Sequence, residues 1–82
     1  MALMGAGGAL EVAVLAAHWP EVVGAEAAAH TQPARLQGGA LVVVVDHPAW
    51  AKELELAAHD VVDKARQLVG PAVGAVRASL RP

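Results

Sequence analysis

Apolar residues recur at helical spacing in some stretches of this chain and at alternate or consecutive positions in others, so both helices and strands are predicted. From Ala9 to His18, Leu10, Val14 and Ala17 share one helical face, with Leu15 beside them. Pro20 has no backbone N–H, so it ends that helix or restarts a second one in its first turn. Pro20 to His30 reads as the second helix, aligning Val23, Ala27 and His30 at spacings of four and three. Gly24 interrupts it at a cost of about 1 kcal/mol relative to Ala, and close packing against a neighbour is the expected reason.

The period then changes. Thr31 to Leu36 alternates, with Pro33 and Arg35 on one side and Gln32, Ala34 and Leu36 on the other; Pro33 places this strand at a sheet edge. Gln37-Gly38-Gly39 is a turn, and Ala40 to Val45, with four consecutive valines, is the strongest strand. Asp46-His47-Pro48 starts a long helix. On it Trp50, Leu54, Ala57, Ala58, Val61, Ala65 and Leu68 form one stripe, opposite Lys52, Glu55, His59, Asp60, Asp63 and Arg66. Gly70-Pro71 stops the helix, and Gly74 to Arg81 alternates again, turning Val76, Ala78 and Leu80 inward and Arg77, Ser79 and Arg81 outward. The order helix, helix, strand, strand, helix, strand predicts a small α+β domain with a three-stranded sheet and helices packed on one face. Residues 1–8, rich in glycine and uncharged, are expected to be a flexible N-terminus, and 9–82 a single domain.

Composition narrows the function classes. The chain has 82 residues, 56% of them hydrophobic, so it is predicted to fold as one globular domain. It has no cysteine, hence neither disulfides nor thiolate metal sites. Its formal net charge of −2 argues against strong unaided binding to nucleic acid. Glu11 interrupts the apolar start, which also lacks a positive leader region, so it reads as mature protein. No apolar run approaches the roughly 20 residues of a membrane helix. A soluble, cytoplasmic protein with no membrane partner is predicted.

Candidate chemistry is sparse. Glu55, His59 and Asp63 at spacings of four put a carboxylate, an imidazole and a carboxylate along the long helix, but a solvated face accounts for them, and no metal is expected. His47 belongs to the helix cap, while His18 and His30 are packing or hydrogen-bonding residues. Ser79 is the sole serine, no Gly-rich segment sits between a strand and a helix, and neither a catalytic residue nor a cofactor is predicted. Binding surface is more informative. If Leu41, Val43 and Val45 face the helices, Val42 and Val44 face outward, where a one-sided sheet should carry polar residues. These two valines, with Leu56 in the polar arc of the long helix, are the candidate partner-binding residues. Arg35, Arg77 and Arg81 are the candidate nucleic-acid contacts. Trp19 and Trp50 read as core anchors, together with Gly24 and Leu54.

One linear pattern goes further than any single residue. Trp19-Pro20-Glu21-Val22-Val23-Gly24, Ala29-His30-Thr31-Gln32-Pro33, Gly39-Ala40-Leu41-Val42-Val43 and Pro48-Ala49-Trp50-Ala51-Lys52-Glu53-Leu54 follow one another in an order and spacing that resembles the DciA family of bacterial proteins. The similarity runs from about Ala9 to Leu80. It implies a K-homology-like domain and a non-enzymatic role in replication initiation, through binding of a DnaB-type replicative helicase and its loading onto single-stranded DNA. Between its predicted elements the chain carries no Gly-x-x-Gly loop of the kind that clamps nucleotides in K-homology domains. Weak binding to single-stranded DNA is therefore expected. A nucleic-acid module proper, using the three arginines, and a domain that self-associates as a homodimer through Val42 and Val44 are the two rivals.

Overall fold

A computed structural model describes residues 8–81; the flexible segment expected over 1–8 falls almost wholly outside them. At Gly8 the backbone takes φ +82°, and the Gly8 carbonyl accepts the Val12 N–H at 2.9 Å to start α1 (Ala9–Ala17). The buried face of α1 is not the expected one. Leu15 is fully buried and Val12 packs against the core, whereas Leu10 is 75% exposed and Ala17 is exposed. The apolar line that matters runs Val12, Leu15, Trp19, Val22 and crosses into the next helix, so the face of α1 is set by where Trp19 must go.

His18 ends α1 and also precedes α2 (Trp19–Val23), where Pro20 occupies the first turn as expected. The predicted helix over 20–30 is two pieces, because Gly24 sits at φ +96° and separates α2 from α3 (Ala25–Ala28). Close packing is not the reason for this glycine: a Cβ there would meet no atom within 4 Å. Its positive φ is the reason, since an L side chain adopts that conformation only under strain. Gly24→Ala should accordingly cost about 1–3 kcal/mol in a denaturation experiment, despite the open space. A cost near zero would mean that α2 and α3 can rejoin around the alanine.

The strands β1 (Thr31–Gln37) and β2 (Ala40–Val45) form the predicted hairpin, with Gly38 at φ +58° and Gly39 at φ +84° making its two-residue turn. A bulge between Pro33 and Arg35 changes the facing of β1. Pro33 pairs with Val43 and Leu36 with Leu41, on the helix side, while Arg35 pairs with Val42 on the opposite side. Strict alternation had placed Arg35 with Pro33, and the extra residue at the bulge reverses that. β3 (Ala75–Leu80) runs parallel to β2, giving the order β1-β2-β3 with Pro33 in an edge strand. Val76 and Ala78 turn inward and are half-buried, but Leu80, in register with Val45, is 54% exposed.

The crossover from β2 to β3 was expected to be one helix and is two, α4 (Pro48–Leu56) and α5 (Ala58–Val69). The chain bends at Ala57, with φ −98° and ψ 8°. The bend lets α4 lie along β3 and β2 while α5 reaches α1 and α2, which a straight rod does not do. His47 caps α4, its Nδ1 accepting the Ala49 N–H at 3.0 Å.

The main core cluster lies on the helix side of the sheet: Leu41, Val43 and Val45 from β2, Leu15, Trp19 and Val22 from the first helices, Leu54, Val61 and Ala65 from the crossover, and Val73. The Trp19 indole Nε1 donates to Thr31 Oγ1 at 2.9 Å, and that hydroxyl donates to the Ala27 carbonyl at 2.8 Å. Trp19 and Leu54 lie in the core, each 3% exposed. Trp50 is only half-buried: it stacks on His30 with ring centroids 5.1 Å apart, at the rim of the core. His30 is held in turn by Asp46, Nδ1 to Oδ2 at 2.9 Å. The result is the α+β domain expected, a three-stranded sheet with helices on one face.

Candidate functional site

The face of the sheet turned away from the helices carries three cross-strand rows. Gln37, Ala40 and Ala75 form one, Arg35, Val42 and Arg77 the next, and Gln32, Val44 and Ser79 the third. No acidic residue occurs in any strand. All eight acids lie in helices or, for Asp46, in the turn before α4, whereas Arg35 and Arg77 sit in strands and Arg81 directly follows β3. Although the whole chain is formally −2, its open sheet face is positive.

This face differs from the expected apolar patch. Val42 is 2% exposed, so it is not available as a contact, while Val44 is half-buried. Val42 lies between two arginines in register, whose aliphatic stems are of a length to shield a central valine. Neighbouring strands are about 4.8 Å apart, which puts the Arg35 and Arg77 backbones roughly 10 Å apart across the row. Arg35 Nε donates to Gln37 Oε1 at 3.3 Å, and both side chains are exposed. Arg81 is exposed and anchored by its backbone N–H, which donates to the Val45 carbonyl at 2.8 Å. The face therefore offers guanidinium groups around a sealed apolar centre, an arrangement suited to an anionic backbone rather than to an apolar partner.

The two valines should respond differently to substitution. Val42→Thr buries a hydroxyl and should lower stability by about 1–2 kcal/mol, whereas Val44→Thr should change it by less than about 0.5 kcal/mol. Equal costs by thermal denaturation would put the two residues in the same environment and contradict the burial difference.

The remaining candidates are dispersed. Leu56 is 72% exposed at the end of α4, on a helix rather than in the arginine row of the sheet. Glu55, His59 and Asp63 do not form a line of ligands, because the bend at Ala57 puts Glu55 on a different helix. His59 approaches Asp63 at 3.9 Å, and among the described residues no three such groups gather into a metal site. The ion pairs His18–Glu21 at 3.3 Å and Lys64–Asp60 at 3.1 Å are surface pairs within single helical stretches, worth little to stability.

Among the grooves that flank the helices, two border the candidate residues. One, of about 530 Å³, lies between α4 and β3 and carries charges of both signs, Lys52 and Arg77 against Glu55. The other, of about 350 Å³, lies between the α2–α3 corner and the α4–α5 bend, with Val23, Trp50, Leu54 and Val61 among its lining residues and Glu26 and Glu53 as its charged groups. Sequence reasoning missed both, since each depends on a helix break or on packing between distant segments. The glycine at position 24 was the one available signal for the second. No helix among the described residues is long and apolar enough to cross a membrane.

A family model described as "Dna[CI] antecedent, DciA" matches residues 3–78 of the chain. The chain is also similar to a UPF0232 protein of Rhodococcus jostii (strain RHA1), with 36% identity over 55 residues, or 67% of this chain. That match spans 29% of the length of the Rhodococcus protein.

Proposed function

The chain belongs to the DciA family, which is linked to the initiation of DNA replication, and from that premise we propose that it is a non-enzymatic adaptor. It binds a DnaB-type replicative helicase and assists the loading of that helicase onto single-stranded DNA in the cytoplasm. The observation that supports this reading is the separation of charge between the two sides of the domain. The open sheet face presents arginines without a single carboxylate, while the helix side carries the acids. An adaptor needs two dissimilar surfaces, one for an anionic strand and one for a protein. Arg35, Arg77 and Arg81 serve the first, and Leu56, exposed on the helix side, remains accessible for the second.

Sedimentation of the chain with a purified DnaB-type helicase tests the protein contact. The two should migrate together, and the complex should form without DNA. Independent migration at micromolar concentrations would remove the helicase from the account. The arginine row also favours a second reading, a single-strand-binding module that acts without a protein partner, and in that case DNA alone would shift the chain.

A further inference from the structure

We propose that the groove between the α2–α3 corner and the α4–α5 bend seats an arginine side chain of the partner protein. The proposal rests on the helicase-binding reading and names the chemistry of that contact. The groove exists because two helices are broken where their neighbours would continue: Gly24, at φ +96°, and Ala57 both line it. Its apolar lining, Val23, Leu54 and Val61, is continuous with the core. Trp50 is only half-buried, leaving part of a large aromatic surface uncovered, although the chain has just two tryptophans. His30 stacks on this indole with an interplanar angle of 13°, and Asp46 holds His30, so the ring is fixed before any partner arrives.

The charges decide the occupant. Glu26 and Glu53 stand on opposite walls, one from α3 and one from α4, and no basic residue lines the groove. Neither carboxylate is paired with a base in an ion pair of the described residues. A guanidinium meets all three features at once. It packs on the part of an indole that His30 leaves uncovered, donates in pairs to a carboxylate, and brings an aliphatic stem that packs on valine and leucine. An ammonium lacks the flat surface and the paired donors. A volume of about 350 Å³ is near the lower limit for a ligand pocket, roughly 300 Å³, which suits one long side chain with an apolar neighbour rather than a whole helix. The larger groove beside β3 carries both signs of charge and makes no such selection.

The test is calorimetric titration of a DnaB-type helicase with the parent chain and three variants, each checked for folding by its thermal transition. Glu26→Lys with Glu53→Lys should weaken binding about tenfold or more. Glu26→Gln with Glu53→Gln, which removes the charges without adding repulsion, should weaken it less. Asp60→Lys with Asp63→Lys makes the same change in net charge on α5, outside this groove, and should leave affinity within about twofold. Equal losses in the two reversal variants, or none in the first, would overturn the proposal while leaving the helicase contact standing. A parent chain that fails to bind the helicase would instead overturn the contact itself, and this site with it.

Discussion

Trp19→Ala should lower the stability of the domain by about 3–5 kcal/mol, and Trp50→Ala by only about 1–2 kcal/mol. Both tryptophans stand within two residues of a proline near the start of a helix, and the pattern of apolar positions treats them alike. The structure does not. Trp19 is 3% exposed, packs with Leu15 and Val22, and donates to Thr31, whose hydroxyl is in turn committed to the Ala27 carbonyl. Removing it leaves a cavity at the junction of α1, α2 and β1 and takes away a buried hydrogen-bond donor from Thr31. Trp50 lies at the rim, where water can enter the space that alanine would leave. That loss is a large fraction of the total stability of a small domain, about 5–15 kcal/mol, so the Trp19 variant should unfold at a much lower denaturant concentration than the parent. Equal losses in urea denaturation would mean that the rim position of Trp50 is wrong.

The second large effect concerns DNA. The chain alone should bind single-stranded DNA weakly, on the order of 10⁻⁵ M or poorer at physiological salt, because only a few arginines face the strand. That binding should depend on the row that flanks Val42. Arg35→Glu with Arg77→Glu converts the open face from positive to negative and should abolish measurable binding, a loss of more than about tenfold. Lys64→Glu with Arg66→Glu makes the same change in net charge on α5 and should reduce binding only modestly. Fluorescence anisotropy with a labelled oligonucleotide distinguishes these outcomes. Nanomolar affinity of the parent chain at physiological salt would favour the stand-alone nucleic-acid module. Equal losses in both variants would mean that overall charge, rather than the sheet face, governs the interaction.

Much of the architecture is legible in the amino-acid pattern because it rests on local signals. Four consecutive valines after Gly38-Gly39 announce a central strand behind a tight turn, and Gly70-Pro71 marks the end of the last helix. Pro33 correctly places β1 at the sheet edge. What escapes the pattern is decided by tertiary packing. Nothing in Leu56-Ala57-Ala58-His59 breaks a helix by propensity, yet the chain bends there to cover both the sheet and the first helices. Gly24 is visible as an anomaly, but its cause, a positive φ, shows only in the backbone. The bulge after Pro33 shifts Arg35 to the open face, and a period-two reading has no means of locating it.

The surface candidates follow the same division. Leu56 is exposed as its polar neighbours on the helix suggest. Val42 is not, because burial on an open sheet face depends on the side chains beside it rather than on the strand's own alternation. The arginine row was half legible: Arg77 faces outward by alternation in β3, while Arg35 joins it only through the bulge. The acidic groove with Trp50 was not legible, since Gly24 and Ala57 are far apart in sequence and meet only after folding.

As proposed, this domain brings a replicative helicase onto single-stranded DNA. Strand separation on a forked DNA by a DnaB-type helicase with ATP, at helicase concentrations where loading limits the rate, measures that role. Adding the chain should raise the rate several-fold, by roughly the factor that recruitment raises the local helicase concentration. The chain without helicase should separate no strands. An unchanged rate in the presence of a helicase–chain complex demonstrated by sedimentation would contradict the claim, leaving a protein contact with no part in loading.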